Sequence, residues 1–297
     1  MVIRFLKYKK IYFLISGLLA AASIFFIFSF GLHWGIDFTG GSILEIEYEE
    51  ERPSNQIIRE QLADLELGEF VIQPADDKAV ILRMKDISEE VHQDILSRLK
   101  ERGRLEELRF ESIGPVIGRE LQEKTTIVVI LSLLVILAYV AFAFRKLTFP
   151  AKSWEYGLVA LIALCHDALI PLGFISLLGR IYGTEITIPV VVAFLTVLGY
   201  SINDTVVVFD RIRENLIKGN GSTYEETVDI SLNQTLTRSI NTSLTTLFVL
   251  TAIFLFGGQT LKYFSLVLII GIIVGTYSSI FLSGPLLTAW LKRRKRL

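Results

Sequence analysis

The sequence has a single cysteine, Cys165, and only three histidines among 297 residues. One cysteine excludes an intrachain disulfide and a cysteine-rich metal site. The sequence also has no nucleophile elbow, no H-E-x-x-H and no phosphate-binding loop, so motifs for hydrolysis, zinc catalysis and nucleotide binding are missing. We therefore expect no enzyme activity, no bound metal and no cofactor.

Charge is segregated along the chain. Residues 32–124 hold 12 Lys/Arg and 22 Asp/Glu, a net charge of −10, whereas the remainder holds 18 and 9, a net of +9. Hydrophobic residues make up 52% of the chain, and the mean hydropathy of +0.52 is too high for an ordinary soluble protein. These values predict a membrane protein that carries one acidic domain.

Six apolar stretches predict membrane helices. The first, 11–31, is too long for a signal-peptide core, and no small-residue cleavage site follows it. The other five predicted spans are 125–144, 157–178, 186–209, 241–256 and 263–290. The span 263–290 is long enough to tilt or to kink near Gly284-Pro285.

Basic residues predict the orientation. Lys and Arg concentrate in 1–10, 145–156, 210–240 and 291–297, which places these segments and both termini in the cytoplasm. The acidic loop 32–124 is then external. Overlapping capping-box patterns at Ser222 and Thr223 predict a surface helix to about residue 237 that leads Arg238 into the bilayer. The expected domains are 1–31, 32–124 and 125–297.

The acidic block has the pattern of a small α+β domain. Stretches that alternate apolar and polar residues predict strands, and two amphipathic stretches predict helices. Their order, β-α-β-β-α-β, is that of a ferredoxin-like domain inserted into an α-helical polytopic membrane protein. His92 has no neighbouring ligand set and is expected at the surface.

Asp204 is the residue that most needs a function. It lies with Asn203 about five residues inside the apolar run, or roughly 8 Å of helix rise from its charged end. A carboxylate costs about 2.5–3.5 kcal/mol at the centre of a membrane helix and somewhat less nearer the edge. We therefore expect Asp204 to have an interaction partner or a functional role.

Several motifs resemble one family. The chain reads WGIDFTGGS before the acidic block and SIGPVIGREL after it, GYSINDTVVVFDRIREN in the fourth span, and NQTLTRSINTSLTT at the fifth. With His166-Asp167 in the third span, the chain resembles the SecF proteins of the SecD/SecF family. The resemblance implies a resistance-nodulation-division transporter of the bacterial cytoplasmic membrane that pairs with SecD. It would act beside SecYEG and YajC and use a proton gradient, or sodium in some relatives, to help draw unfolded preproteins across.

The resemblance also implies roles for single residues. Asp204 would belong to the proton pathway, with Arg238 as its expected partner. A cation near a carboxylate favours its charged form, so moving that cation would switch its affinity for a proton. Asn203, Thr242 and Thr245 are expected to form interhelical hydrogen bonds or to line a chain of water molecules. The alternative is a static bridge between Asp204 and Arg238.

His166-Asp167 lies in mid-span and either extends the proton route or forms a neutral packing contact. Within the entry motif, Gly40-Gly41 is expected to meet a backbone requirement and Asp37 to form a cap or turn. The charged cluster at 210–214 is expected to end a cytoplasmic helix with internal ion pairs. The motif residues carried over from the family are Gly35, Asp37, Gly40, Gly41, Asp210, Arg211, Arg213 and Asn215.

The basic end of the chain, KRRKR, is expected to anchor the topology and to attract anionic membrane lipids rather than nucleic acid. The sequence leaves two alternative functions open. The protein could be a small-solute or lipid exporter of the same superfamily, or a scaffold of the translocon that transports nothing.

Overall fold

The computed structural model of the protein describes residues 3–68, 70–75, 77–143 and 152–294. The chain divides into a membrane unit, Met1–His33 with Val128–Leu297, and a sheet unit, Trp34–Ile127. Most of the predicted loop 145–156 and the last residues of the basic terminus, 295–297, lie outside the described residues.

The membrane unit is helical, and the sheet unit combines four strands with helices. A 3-10 turn, Phe5–Tyr8, precedes the first helix, and a π-helical turn, Ser278–Ser283, separates the last two. The strands are β1 Gly41–Tyr48, β2 Val71–Pro74, β3 Ala79–Met84 and β4 Leu105–Ile113. The helices are α1 Lys9–Phe30, α2 Ile36–Thr39, α3 Asn55–Gln61, α4 Glu89–Lys100, α5 Pro115–Ala143, α6 Ser153–Tyr182, α7 Ile188–Lys218, α8 Tyr224–Phe256, α9 Gly258–Tyr277 and α10 Gly284–Arg294.

Six helical stretches of the described residues are long and apolar enough to cross a bilayer, which confirms the predicted number. The shortest has 26 residues, and at about 1.5 Å per residue each exceeds the roughly 30 Å hydrocarbon core. The third and sixth stretches are the most buried inside the unit. They are therefore its central helices.

The fifth span departs from the prediction. The Thr223 hydroxyl accepts a hydrogen bond from the backbone N–H of Glu226 at 3.2 Å, so the predicted capping signal does begin the helix. No proline or glycine follows before Phe256, and α8 runs unbroken from Tyr224. The prediction that this helix ends near residue 237 is wrong, because nothing in the sequence ends it there.

Glycines allow the membrane helices to pack closely. A Cβ at Gly173 of α6 would lie 2.4 Å from the Cβ of Ser23 on α1, and one at Gly271 of α9 would lie 2.2 Å from a methyl of Val197 on α7. One helical turn on, Gly275 meets Ser201 at 3.1 Å. The small residues Gly271 and Gly275 thus bring the α7 and α9 backbones close together.

The sheet unit has the predicted ferredoxin-like fold. All neighbouring strands are antiparallel in the order β2-β3-β1-β4. Alternate side chains of β1 face helices α3 and α4. Leu44, Ile46 and Tyr48 pack there against residues such as Ile58 of α3 and Ile95 of α4.

The glycine pair ahead of β1 meets a backbone requirement, as expected. Gly40 and Gly41 both have positive φ, 73° and 121°, which side chains disfavour. A Cβ at Gly41 would also lie 2.7 Å from the Met84 carbonyl oxygen. Gly35 precedes α2 and accepts hydrogen bonds from Thr39, while Asp37 lies in the first turn of that helix.

His92 is buried, so its predicted surface position is wrong. Its side chain is only 4% exposed, and its ring stacks on Phe110 with centroids 3.7 Å apart. Its Nδ1 lies 3.2 Å from Glu89 Oε1, and its Nε2 lies 3.3 Å from Glu107 Oε2. The buried side of α4 consists of His92, Ile95, Leu96 and Leu99, so the histidine lies within the apolar side of this helix.

We expect His92→Ala to destabilise the sheet unit by about 2 kcal/mol or more, because it leaves a cavity against Phe110. Gln93→Ala is the control, since its exposed side chain makes only a surface hydrogen bond to Glu89. Amide hydrogen exchange of the sheet unit in the full-length chain measures the difference. Equal protection in both variants would contradict the assigned burial.

Candidate proton-pathway site

Asp204 on α7 is held by two hydroxyl groups. Ser239 of α8 donates to its Oδ1 at 2.6 Å, and Ser279 of the π-helical turn donates to its Oδ2 at 2.5 Å. Both serines are buried, whereas the Asp204 side chain is partly exposed. The carboxylate therefore lies at the boundary between the buried interior of the membrane unit and its exposed surface.

A second carboxylate, Asp167 of α6, is fully buried. Its Oδ1 lies 2.8 Å from Nδ1 of the preceding His166. Its Oδ2 accepts hydrogen bonds from Ser201 of α7 and Ser278 of the π-helical turn, both at 2.5 Å. The pair predicted from sequence is therefore in contact, and two further hydroxyls complete it.

Arg238 does not contact Asp204. It is exposed and forms no ion pair with any described residue. Successive residues of a helix point about 100° apart, so the inward direction of Ser239 turns its neighbour Arg238 away. The alternative of a static bridge between Asp204 and Arg238 is not formed in this structure, and a pathway role for Arg238 stays a prediction.

The other polar residues predicted for the pathway are also exposed. Asn203 lies on α7, and Thr242 and Thr245 lie on α8. The Thr245 hydroxyl donates to carbonyls of its own helix. Arg238, Thr242 and Thr245 are spaced by four and three residues, so they share one side of α8, which we call the Arg238 face.

Sequence reasoning missed the hydroxyls that hold the carboxylates, because serine is common in membrane helices and no single serine has a distinctive pattern. One signal was present: Ser239 and Ser243 are four residues apart and lie on one side of α8. Ser243 bonds with Tyr200 of α7 at 3.1 Å and with Thr276 of α9 at 2.5 Å. The missed carboxylate partners are Ser201, Ser239, Ser278 and Ser279.

The charged cluster at the end of α7 pairs internally, as predicted. Arg211 contacts Glu214 at 2.8 Å, and Arg213 contacts Asp210 at 3.4 Å. Asn215 is instead buried, and its amide donates to Ser231 and Gln234 of α8. It therefore ties the end of α7 to α8, a role that sequence reasoning did not assign.

No group of three or more His, Cys, Asp or Glu side chains among the described residues has an arrangement that could hold a metal ion. The hydroxyl and carboxylate groups around Asp204 and Asp167 can instead pass or hold a proton, because hydroxyls both donate and accept hydrogen bonds.

Family models match most of the chain. The model described as "Protein export membrane protein SecD/SecF, C-terminal" matches residues 92–293, and the "SecD/SecF GG Motif" model matches residues 25–51. The chain belongs to the SecD/SecF family. The first match contains both carboxylates, and the second contains Gly35, Asp37 and the glycine pair.

Curated relatives match over nearly their whole length. "Protein translocase subunit SecF" of Thermobaculum terrenum is 40% identical, with 96% of this chain and 92% of the relative covered. The proteins of the same name from Sebaldella termitidis and Rickettsia prowazekii are 37% and 35% identical, each over 98% of this chain and 92% and 91% of the relative. This member of the SecD/SecF family is thus of the SecF type.

A solved structure has the same fold. The crystal structure of SecDF, a translocon-associated membrane protein from Thermus thermophilus, is 34% identical and superposes with a TM-score of 0.85. The match covers 99% of this chain, which spans 39% of that SecDF chain. The SecF-type chain is therefore a multi-pass membrane protein.

Exposure predicts different reactivities for the two carboxylates. A hydrophobic carbodiimide should label Asp204, which is partly exposed, and should spare Asp167, which has no exposed surface. Tandem mass spectrometry of the full-length chain in detergent would locate the adduct, and Asp204→Asn should abolish it. Labelling of Asp167 in the folded wild-type chain would contradict the assigned burial.

Proposed function

We propose that this chain is a SecF-type subunit that couples the movement of protons or sodium ions to the passage of preproteins across the cytoplasmic membrane. Asp204 is the coupling residue. The observation that carries the proposal is that hydroxyl groups, and not a fixed cation, hold this partly buried carboxylate.

Neutral partners suit a carboxylate that changes its charge. Ser239 and Ser279 can donate to the ionised form, and each hydroxyl can rotate to accept a hydrogen bond from the protonated form. A permanent ion pair would instead favour the charged form and oppose protonation. The absence of such a pair among the described residues supports an ion-carrying role over a static bridge.

The Arg238 face is the proposed contact with a SecD-type partner. An arginine exposed on a membrane helix is costly in lipid and is normally covered by protein or water. Asn203, Thr242 and Thr245 lie exposed with it and could bond across such an interface. The match to part of a longer SecDF chain supports a partner that supplies the remainder.

The positions of basic residues support cytoplasmic termini and an external sheet unit. Lys7, Lys9 and Lys10 precede or begin α1, and the charged end of α7 would lie on the same side. In this orientation the sheet unit would meet the emerging unfolded preprotein. SecYEG and YajC would be neighbours in the membrane.

Asp204→Asn should assemble normally yet lose the gradient-dependent part of preprotein export, because the amide cannot take up and release a proton at this site. Asp210→Asn is the control on the same helix, since Asp210 is exposed at the charged end of α7. Export into inverted membrane vesicles with and without an ion gradient provides the measurement. Sodium-free buffer distinguishes the two ions. Full gradient-driven export by Asp204→Asn would favour a scaffold that transports nothing.

Arg238→Ala should reduce gradient-driven export several-fold, although Arg238 contacts no acidic residue in the described part of the isolated chain. The reason is that the proposed partner brings its charge close to Asp204. Arg180→Ala is the control, because Arg180 is exposed at the end of another span. Both variants would be compared in the same vesicle assay, and equal wild-type export would remove Arg238 from the pathway.

A further inference from the structure

The π-helical turn Ser278–Ser283 lies between α9 and α10, inside the sixth span. Its position follows from the sequence: Pro285 has no backbone N–H, and its ring crowds the carbonyl of Phe281 four residues earlier. Such turns are rare in helices and frequently occur at functional sites. A kink was predicted near Gly284-Pro285, and the irregular segment lies directly before it.

Two adjacent serines at the start of this turn hold two different carboxylates. Ser278 donates to Asp167 of α6, and Ser279 donates to Asp204 of α7. Both serines are fully buried. Because consecutive residues cannot move independently within one turn, the two carboxylates share a single backbone support.

Each serine has a second acceptor on its own helix. Ser278 Oγ lies 3.1 Å from the Gly275 carbonyl oxygen, and Ser279 Oγ lies 3.0 Å from the Thr276 carbonyl oxygen. A hydroxyl has one proton to donate and two lone pairs to accept with. Each serine can therefore donate to an ionised carboxylate, or accept from a protonated one and donate to its own helix.

We propose that Ser278 and Ser279 are positioning residues that link the protonation of Asp204 to that of Asp167 through the π-helical turn. This linkage rests on the proposed ion-coupling role of Asp204 for its function, but its physical basis is independent of export. When Asp204 gains a proton, its carboxyl group donates to Ser279 Oγ, whose own proton turns to the Thr276 carbonyl. The altered hydrogen bond shifts the turn and with it Ser278, the donor to Asp167.

The turn can transmit such a change because its register is not unique. A π-helical turn holds one residue more than an α-helical turn, so conversion to α-helix would rotate one flanking helix relative to the other by about 100°. A rotation of the α9 side would carry Ser278 and Ser279 away from their present partners. The occupied hydrogen bonds to both carboxylates stabilise the π register together.

Other titratable groups near the two carboxylates come from each packed helix. His166 contacts Asp167, and Arg238 adjoins Ser239 in sequence on the exposed side of α8. Tyr200 lies one turn before Asp204, and Tyr277 directly precedes Ser278. Tyr277 donates to the Tyr12 carbonyl oxygen of α1.

Infrared titration of the purified full-length chain in nanodiscs tests the linkage. Difference spectra against Asp167→Asn and Asp204→Asn assign the two carboxyl bands. A hydrogen bond to a charged group corresponds to roughly one pH unit in the titration midpoint of that group. Ser278→Ala removes a donor from Asp167 only. If the turn passes on about half of that effect, the titration midpoint of Asp204 should also move, by about half a pH unit or more. Ser279→Ala should likewise move the midpoint of Asp167.

Ser265→Ala is the matched control, because this buried serine on α9 donates only to carbonyls of its own helix. Neither midpoint should move in this variant. Ser278→Thr and Ser279→Thr keep the hydroxyl and should restore the wild-type midpoints. If a serine variant fails to fold, the reciprocal measurement remains: Asp167→Asn should move the midpoint of Asp204.

The proposal is overturned if each serine variant moves only the carboxylate that it touches and Asp167→Asn leaves Asp204 unchanged. This outcome is distinguishable from failure of the proposed function. Gradient-driven export by Asp204→Asn would remove the coupling role, while a cross-effect in the titrations would still establish the linkage.

Discussion

The membrane unit depends on hydrogen-bond donors for carboxylates that are held away from water. An unpaired charge in such surroundings is costly, and the protein meets that cost with short hydroxyl side chains from neighbouring helices. Asp167 is the extreme case, since it is fully buried and its oxygens face His166, Ser201 and Ser278. The positions of α6, α7 and the π-helical turn are therefore set by polar contacts as well as by apolar packing.

Short donors require close backbones, and the glycines of α9 provide them. Gly271 and Gly275 face the side chains of Val197 and Ser201, so α7 approaches α9 without opposing side chains from these two positions of α9. Ser201 both packs on Gly275 and donates to Asp167. Close packing and carboxylate binding are thus properties of one interface, and a larger residue at either glycine would disturb both.

Asp204 differs from Asp167 in its access to the surface. One side of its carboxylate meets Ser239 and Ser279 in the interior, and the Arg238 face lies beside it on α8. This site has a buried hydroxyl side and an exposed polar side, and that arrangement is the basis of the proposal that a second subunit completes an ion path here. The SecD/SecF family membership and the partial match to a longer SecDF chain agree with such a half-unit.

The sequence alone determined the six spans and the ferredoxin-like order of strands and helices, and it singled out Asp204 as a carboxylate within an apolar span. These features follow from local patterns: apolar run length, alternation of side chains, and one carboxylate within an apolar helix. The motifs at 34–42 and 199–215 were sufficient to identify the family.

Only the tertiary structure decided which groups contact the carboxylates. Donation by Ser239 or Ser279 depends on how helices distant in sequence rotate and approach, and no local pattern specifies that rotation. For the same reason the expected contact of Arg238 with Asp204 is not formed, and the next residue on the helix, Ser239, contacts Asp204 instead. The burial of His92 was likewise decided by packing, because Phe110 on a distant strand covers a histidine that its own helix pattern left at the edge of the apolar stripe.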